Sequence, residues 1–144
     1  MAFLGEAVRD YRFKLMQALM DREGYDALAF TQADFFQFAT NFNTDVQPWE
    51  RPIICVVPRN GAPFVVLNEL STHHWRFTEE GGRLWVTDAT FYAEHPRVGS
   101  RLALLPQWAD VVAAFCSSGA FIAAVSAWMP PAGGWPGLQQ RCRA

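Results

Sequence analysis

The sequence lacks the markers of several large functional classes. Its 144 residues contain three cysteines and no Cys-x-x-Cys pair, so neither a disulfide framework nor a zinc site is indicated. There is no glycine-rich phosphate loop, and Ser117 and Ser118 lack the preceding glycine of a nucleophile elbow. Lysine occurs once, and the net charge of -2 argues against binding to nucleic acid through phosphate contacts. The sequence therefore shows no self-contained active site.

What the chain does contain is a large supply of core-forming residues. Hydrophobic residues make up 51% of the sequence and aromatic residues 15%, which excludes disorder for most of it. A chain of this length is most simply one domain with a substantial core. The N-terminal residues carry acids early and have no long apolar stretch, unlike a signal peptide. Together with the unpaired cysteines, this indicates a reduced, cytoplasmic setting.

Helix and strand signals alternate along residues 1–119. Helical spacing of apolar residues predicts four helices, at residues 6–22, 35–40, 69–77 and 106–119. Short apolar runs predict four strands, at residues 27–30, 53–57, 64–67 and 84–86. Residues 89–101 show little periodicity and are predicted to form a loop. The apolar face of the first helix is predicted to comprise Val8, Tyr11, Leu15, Ala18 and Leu19.

Three positions carry turn or cap signals. Asn60-Gly61 predicts a hairpin between the second and third strands. Asn41 is predicted to close the second helix in the left-handed conformation, and residues 31–34 are predicted to cap its start. Because a hairpin adds an antiparallel pair to strands that alternate with helices, the fold class predicted is α/β with a mixed β-sheet flanked by helices.

The last part of the chain, residues 120–144, has a different character. It is apolar and then rich in Pro and Gly, and no charged residue occurs between Asp110 and Arg141. A natural terminal helix with a disordered tail is one interpretation, and a frame shift in a GC-rich gene is another. Residues 111–129 also meet the length criterion for a membrane span, although their serines, a glycine and an amphipathic start argue against one. We expect no membrane partner.

Few side chains offer chemistry by their spacing alone. His73 and His74 are adjacent and would point about 100° apart on a helix, so they do not share a metal easily. Glu69 precedes His73 by four residues, but two ligands are too few for a metal site. No pair of carboxylates is singled out as acid and base, and Cys55 is predicted to be a small core residue.

Trp49 and Arg51 form the strongest candidate binding pair. They flank Glu50 at the end of a polar loop, residues 43–50, that leads into the second strand. A guanidinium and an aromatic ring suit a small carboxylate ligand, since the guanidinium binds the anion and the ring covers the apolar part. The alternative is structural: Arg51 pairs with Glu50 or Asp45, and Trp49 packs on the loop.

Two segments resemble motifs of a known family. The run Gly24-Tyr25-Asp26-Ala27 and the run Phe38-Ala39-Thr40-Asn41-Phe42 are similar to the "G-hydrophobic-D-A" and "Y-L-T-G-F" segments of the creatinase/prolidase N-terminal domain. This family includes Xaa-Pro dipeptidase and aminopeptidase P (peptidase M24). Asn41 stands where the family usually has glycine. The resemblance covers roughly residues 6–118.

The resemblance implies a non-catalytic domain with ribonuclease H-like layering. Catalysis in the family belongs to a C-terminal pita-bread domain, absent from these residues, which in the peptidases holds a divalent metal pair (Mn, Co or Zn). No cofactor is expected in this chain. A homodimer is implied, in which the loop after the second helix reaches the neighbouring active site, and Trp49 and Arg51 match its substrate-contacting pair.

The function that follows is an N-terminal domain of a hydrolase that cleaves Xaa-Pro peptides. The alternative is a stand-alone module for dimerisation or for binding a small carboxylate or an Xaa-Pro peptide.

Overall fold

A four-stranded mixed β-sheet forms the scaffold of residues 4–44, 51–93 and 108–118, which are the parts of the chain that the computed structural model describes. The strands are β1 (Ala27–Phe30), β2 (Ile54–Pro58), β3 (Phe64–Asn68) and β4 (Asp88–Tyr92), and they lie side by side in that order. The pairs β1–β2 and β2–β3 are antiparallel, whereas the pair β3–β4 is parallel. The predicted mixed α/β fold is therefore confirmed.

Four α-helices accompany the sheet in these ranges. They are α1 (Glu6–Glu23), α2 (Ala33–Thr40), α3 (Thr72–Glu80) and α4 (Trp108–Ser118), and a short 3-10 turn, Glu69–Ser71, leads into α3. Asn41 closes α2 with a φ of 62°, as the sequence predicts. Its start carries no side-chain cap, so the predicted cap at residues 31–34 is wrong. Among the described residues, no helix is long and apolar enough to cross a membrane.

β2 and β3 are buried on both faces of the sheet, as expected for continuous apolar runs. Because side chains alternate along a strand, successive residues enter different cores. Cys55, Val57, Val65 and Leu67 pack in one core, which contains residues of α1, α2 and α3. Ile54, Val56, Phe64 and Val66 pack in the other core, with Trp108 and Val112 of α4. The result is a three-layer arrangement of helix, sheet and helix.

The face of α1 that enters the core differs from the predicted one. Met16 and Met20 are buried and Phe13 packs beside them, whereas Tyr11 is 62% exposed and Leu15 is 46% exposed. Both stripes recur at helical spacing, and they lie roughly a third of a turn apart at ~100° per residue. Periodicity alone therefore could not select the stripe that packs on the sheet.

The last strand also lies outside its predicted position. Residues 84–86 do not form a strand, and the backbone N–H of Trp85 instead donates to the carbonyl of Thr40 at 3.1 Å. β4 begins at Asp88, in a segment predicted to be mostly loop. Its residues are held by a parallel ladder with β3, in which Phe64 is aligned with Asp88. A partner strand that is distant in sequence gives β4 its structure, and a local pattern does not report such a partner.

Burial of Cys55 leads to a pH prediction. Its side chain is 0% exposed, and desolvation raises the pKa of the thiol above its ordinary value of 9.0. Above pH 9.0 the unfolded chain loses this proton while the native chain keeps it, so stability falls as pH rises. We expect the free energy of unfolding to decline by about 1.4 kcal/mol per pH unit more in the native sequence than in Cys55→Ala.

Urea unfolding of both proteins at several alkaline pH values measures this difference in slope. Cys116 and Cys142 are present in both proteins, so the comparison isolates the effect of Cys55. Equal slopes would mean that the native thiol ionises as readily as the unfolded one.

Candidate functional site

The loop at residues 43–50 begins at a residue that is fixed in the core. Phe42 is 3% exposed, and its ring centroid lies 5.0 Å from that of Trp75 and 6.4 Å from that of Phe36. Thr40 fixes the backbone here, because its hydroxyl donates to the Phe36 carbonyl at 2.8 Å and accepts the N–H of Phe42 at 3.1 Å. The start of the loop is therefore held by both ring packing and hydrogen bonds.

The other end of the loop is tied to the sheet. Arg51 is half-buried, and Ile53, two residues later, is 0% exposed. Between them, the carbonyl of Pro52 accepts a hydrogen bond at 3.0 Å from the hydroxyl of Tyr92, which ends β4. The backbone beside Arg51 is thus attached to a buried side chain of β4, which lies two strands away from β2 in the sheet.

Replacing Tyr92 by Phe tests this attachment. The change removes the hydroxyl and leaves the Pro52 carbonyl without that donor, so we expect the free energy of unfolding to fall by about 1 kcal/mol. Urea unfolding measures the loss. Tyr11→Phe is the matched control, because that ring is 62% exposed and no change is expected there. Equal stability of the native protein and Tyr92→Phe would show that the bond does not hold the loop.

Of the predicted binding pair, Arg51 lies within the described residues and Trp49 does not. Trp49 lies outside the described residues, as do Asp45, Glu50 and the histidine at position 95. Arg51 is described and is half-buried, three residues before β2 begins at Ile54. Their joint action on a carboxylate stays a prediction.

The other predicted polar residues do not come together as a metal site. His73 and His74 are both exposed on α3, and Glu69 lies in the 3-10 turn before them. Within residues 4–44, 51–93 and 108–118, no group of three or more His, Cys, Asp or Glu side chains could hold a metal ion. These residues do not fit the divalent metal pair of the peptidases.

A cluster that the sequence analysis missed lies where α1 meets α2. The guanidinium carbon of Arg12 is 4.4 Å from the ring centroid of Phe38 and 5.3 Å from that of Trp85. Its Nη1 also donates to the Phe38 carbonyl at 3.0 Å. Such cation–π contacts hold the charged group against two rings while leaving other N–H groups available. We call Arg12, Phe38 and Trp85 the Arg12 cluster.

Little in the sequence indicates that these three residues meet. Arg12 occupies a helical position that reads as solvated, and Trp85 lies far along the chain in a segment predicted to be a strand. Trp85 is instead held against α2 by its hydrogen bond to Thr40. Only the folded backbone brings the arginine and this ring together.

A groove lies between α1 and the β2–β3 hairpin. It is an open groove of about 420 Å³, and its lining includes Phe13, Lys14, Pro58 and Arg59. Arg59 is already engaged there, since it donates to carbonyls at the end of α1 and in the following residues. Arg59 therefore serves the junction between α1 and the hairpin and does not offer free donors to the groove.

Comparison with solved structures identifies the fold. The N-terminal domain of Xaa-Pro dipeptidase from Lactobacillus brevis is similar with a TM-score of 0.52 and 18% identity, over 75% of this chain and 67% of that chain. Dipeptidase PepE from Mycobacterium ulcerans is similar with a TM-score of 0.51 and 19% identity, over 65% of this chain and 24% of that chain. The match thus spans about a quarter of PepE. No protein-family model and no curated protein matches the sequence.

These similarities confirm the family resemblance at the level of the fold. The chain has the mixed α/β architecture of prolidase-type N-terminal domains. Similarity at 18% and 19% identity shows the fold and does not by itself show an activity or a partner.

Proposed function

We propose that this chain is a non-catalytic domain of the creatinase/prolidase N-terminal type, working as part of a hydrolase that cleaves Xaa-Pro peptides. The observation that carries the proposal is the fold shared with the N-terminal domain of the Lactobacillus brevis Xaa-Pro dipeptidase. In this proposal the domain forms a homodimer. Each copy extends the loop at residues 43–50 toward a catalytic site that a separate domain of the partner provides.

The fixed ends of the loop support a role in positioning. A loop that carries binding residues works best when a rigid scaffold sets its base. Here Phe42 is locked in the core before the loop, and Pro52 is hydrogen-bonded to Tyr92 after it. Arg51 therefore starts from a defined backbone position rather than from the middle of a long free segment.

The chemistry of an Xaa-Pro dipeptide suits the proposed pair. Such a peptide ends in a carboxylate directly beside the apolar proline ring. The planar guanidinium of Arg51 can donate two parallel hydrogen bonds to the carboxylate, and the Trp49 ring can cover the proline. A divalent metal pair belongs in this proposal to the catalytic domain and not to this chain.

Titration of the protein with the dipeptide Gly-Pro tests the role of Arg51. We expect the binding isotherm, followed by amide chemical shifts, to weaken about tenfold or more in Arg51→Ala, because a charge-assisted contact is lost. The matched control is Arg76→Ala, which removes an exposed arginine from α3 on a different element. Equal binding by Arg51→Ala and Arg76→Ala would remove Arg51 from the proposed site.

A further inference from the structure

The Arg12 cluster holds a positive charge that no acid neutralises within the part of the chain that the structure describes. The guanidinium of Arg12 donates one hydrogen bond, from Nη1 to the Phe38 carbonyl at 3.0 Å, and takes part in none of the ion pairs found there. Arg9, Arg22 and Arg59 differ from it, because each of them pairs with a carboxylate. Since a guanidinium has five N–H donors, most of those of Arg12 are left for a group from outside.

The sequence of α1 explains why Arg12 lacks a counter-ion on its own helix. Side chains that pair along a helix stand three or four residues apart. None of these four positions around Arg12 holds an acid: they are Val8, Arg9, Leu15 and Met16. Two acids in the first turns of the helix, Glu6 and Asp10, instead contact Arg9, at 3.9 Å and 3.0 Å.

The acids on the neighbouring elements do not neutralise this charge either. Asp34 is exposed one turn before Phe38 on α2, and Asp88 is exposed three residues after Trp85. Neither of them forms an ion pair with another described residue. The charge of Arg12 is thus open to a ligand on all three elements that form the cluster.

Two aromatic rings fix the position of this charge. The guanidinium carbon lies over both rings, at 4.4 Å from the centroid of Phe38 and 5.3 Å from that of Trp85, and all three residues are half-buried. Phe38 belongs to α2, and Trp85 is attached to the end of α2 by its backbone hydrogen bond to the Thr40 carbonyl. Because the side chain of Arg12 is already held in place, little conformational freedom is lost when a ligand binds.

We propose that the Arg12 cluster binds the carboxylate of a small ligand that carries an apolar group beside it. A planar guanidinium donates two parallel hydrogen bonds to a carboxylate, and the pairing is stronger for a half-buried charge than for one in water. The rings of Phe38 and Trp85 provide apolar contact area for the rest of the ligand. The site uses residues other than Trp49 and Arg51, and it does not depend on the proposed function.

An NMR titration of the protein with benzoate tests this proposal, with the indole N–H resonance of Trp85 as the reporter. Trp85→Phe assigns the resonance. We expect a Kd on the order of 1 mM for benzoate, which joins a carboxylate to an apolar ring. Benzamide has nearly the same shape without the charge, and inorganic phosphate has the charge without the ring. We expect each of them to bind about tenfold more weakly than benzoate.

Removal of the guanidinium provides the second part of the test. In Arg12→Gln we expect the Kd for benzoate to rise about tenfold or more, because the charge-assisted hydrogen bonds are lost. Arg12→Lys keeps the charge without the planar fork and is expected to show a smaller rise. Circular dichroism checks the fold of both variants, and the lysine variant decides the test if the glutamine variant does not fold. Arg22→Gln is the matched control, since it removes an equal charge from an exposed position on the same helix and leaves the Kd unchanged.

Three results would overturn the proposal. The first is an equal Kd for benzoate in the native protein and in the folded Arg12 variants, and the second is benzamide binding as tight as that of benzoate. The third is benzoate binding that is lost in Arg51→Ala and kept in Arg12→Gln, which would place the carboxylate at the loop and leave the proposed function in place. Failure of the Gly-Pro titration at Arg51, with benzoate binding dependent on Arg12, would contradict the proposed function and support the Arg12 site.

Discussion

Replacing Arg59 by Ala is expected to lower the free energy of unfolding by about 3 kcal/mol, because several charge-assisted hydrogen bonds disappear together. Its Nη2 donates to the carbonyls of Met20 and Tyr25 at 2.6 Å, and its Nε donates to the Tyr25 carbonyl at 2.9 Å. Its Nη1 pairs with Asp21 at 2.6 Å. These bonds attach the residue after β2 to the last turns of α1 and to Tyr25, which follows the helix.

Urea unfolding measures this loss, and two further variants locate its cause. Arg59→Lys keeps the charge but lacks the planar fork, so we expect it to recover less than half of the lost stability. Arg22→Ala removes an exposed pair with Glu23 and is expected to cost less than about 0.5 kcal/mol. If Arg59→Ala were as mild as Arg22→Ala, the contacts of Arg59 would be incidental to the junction.

Replacing Asn41 by Ala is expected to cost about 2–3 kcal/mol, from backbone strain and from a lost hydrogen bond. Asn41 has a φ of 62°, a left-handed conformation that alanine adopts poorly. Its side-chain amide also donates to the Arg83 carbonyl at 2.8 Å, and the residue is only 7% exposed. One side chain thus closes α2 and holds the segment that carries Trp85.

Asn41→Gly separates the two contributions. Glycine accepts the left-handed backbone but provides no amide, so we expect a loss of about 1 kcal/mol, smaller than that of alanine. Thermal and urea unfolding of the three proteins give the order native, glycine, alanine. If the glycine variant were at least as stable as the native protein, the contact with the Arg83 carbonyl would contribute nothing to stability. Glycine is the residue usual at this position in the similar family motif.

Local signals in the sequence predicted much of the fold. β1 was predicted at residues 27–30 and lies there, and the buried runs of β2 and β3 were placed to within a residue. Asn41 takes the predicted left-handed conformation, and Gly61 has a positive φ of 118° in the predicted hairpin turn. Each of these features depends on residues that are close together in the chain, where steric preferences of Gly and Asn act directly.

The errors lie where distant parts of the chain meet. The position of β4 depends on pairing with β3 across α3, and the buried face of α1 depends on packing that its periodicity does not report. The Arg12 cluster was missed for the same reason, because it needs Trp85 to fold back onto α2. At the predicted site, Arg51 lies three residues before β2, and its action with Trp49 stays a prediction.

The most direct test of the proposed non-catalytic role is an assay of Ala-Pro hydrolysis by the purified protein. Release of free proline is followed with added Mn²⁺, and with Co²⁺ and Zn²⁺ in parallel, beside a full-length Xaa-Pro dipeptidase as positive control. The account predicts a rate equal to that of the metal alone. Hydrolysis above that blank that stays with the protein peak through purification would contradict it and would place a catalytic site within these 144 residues.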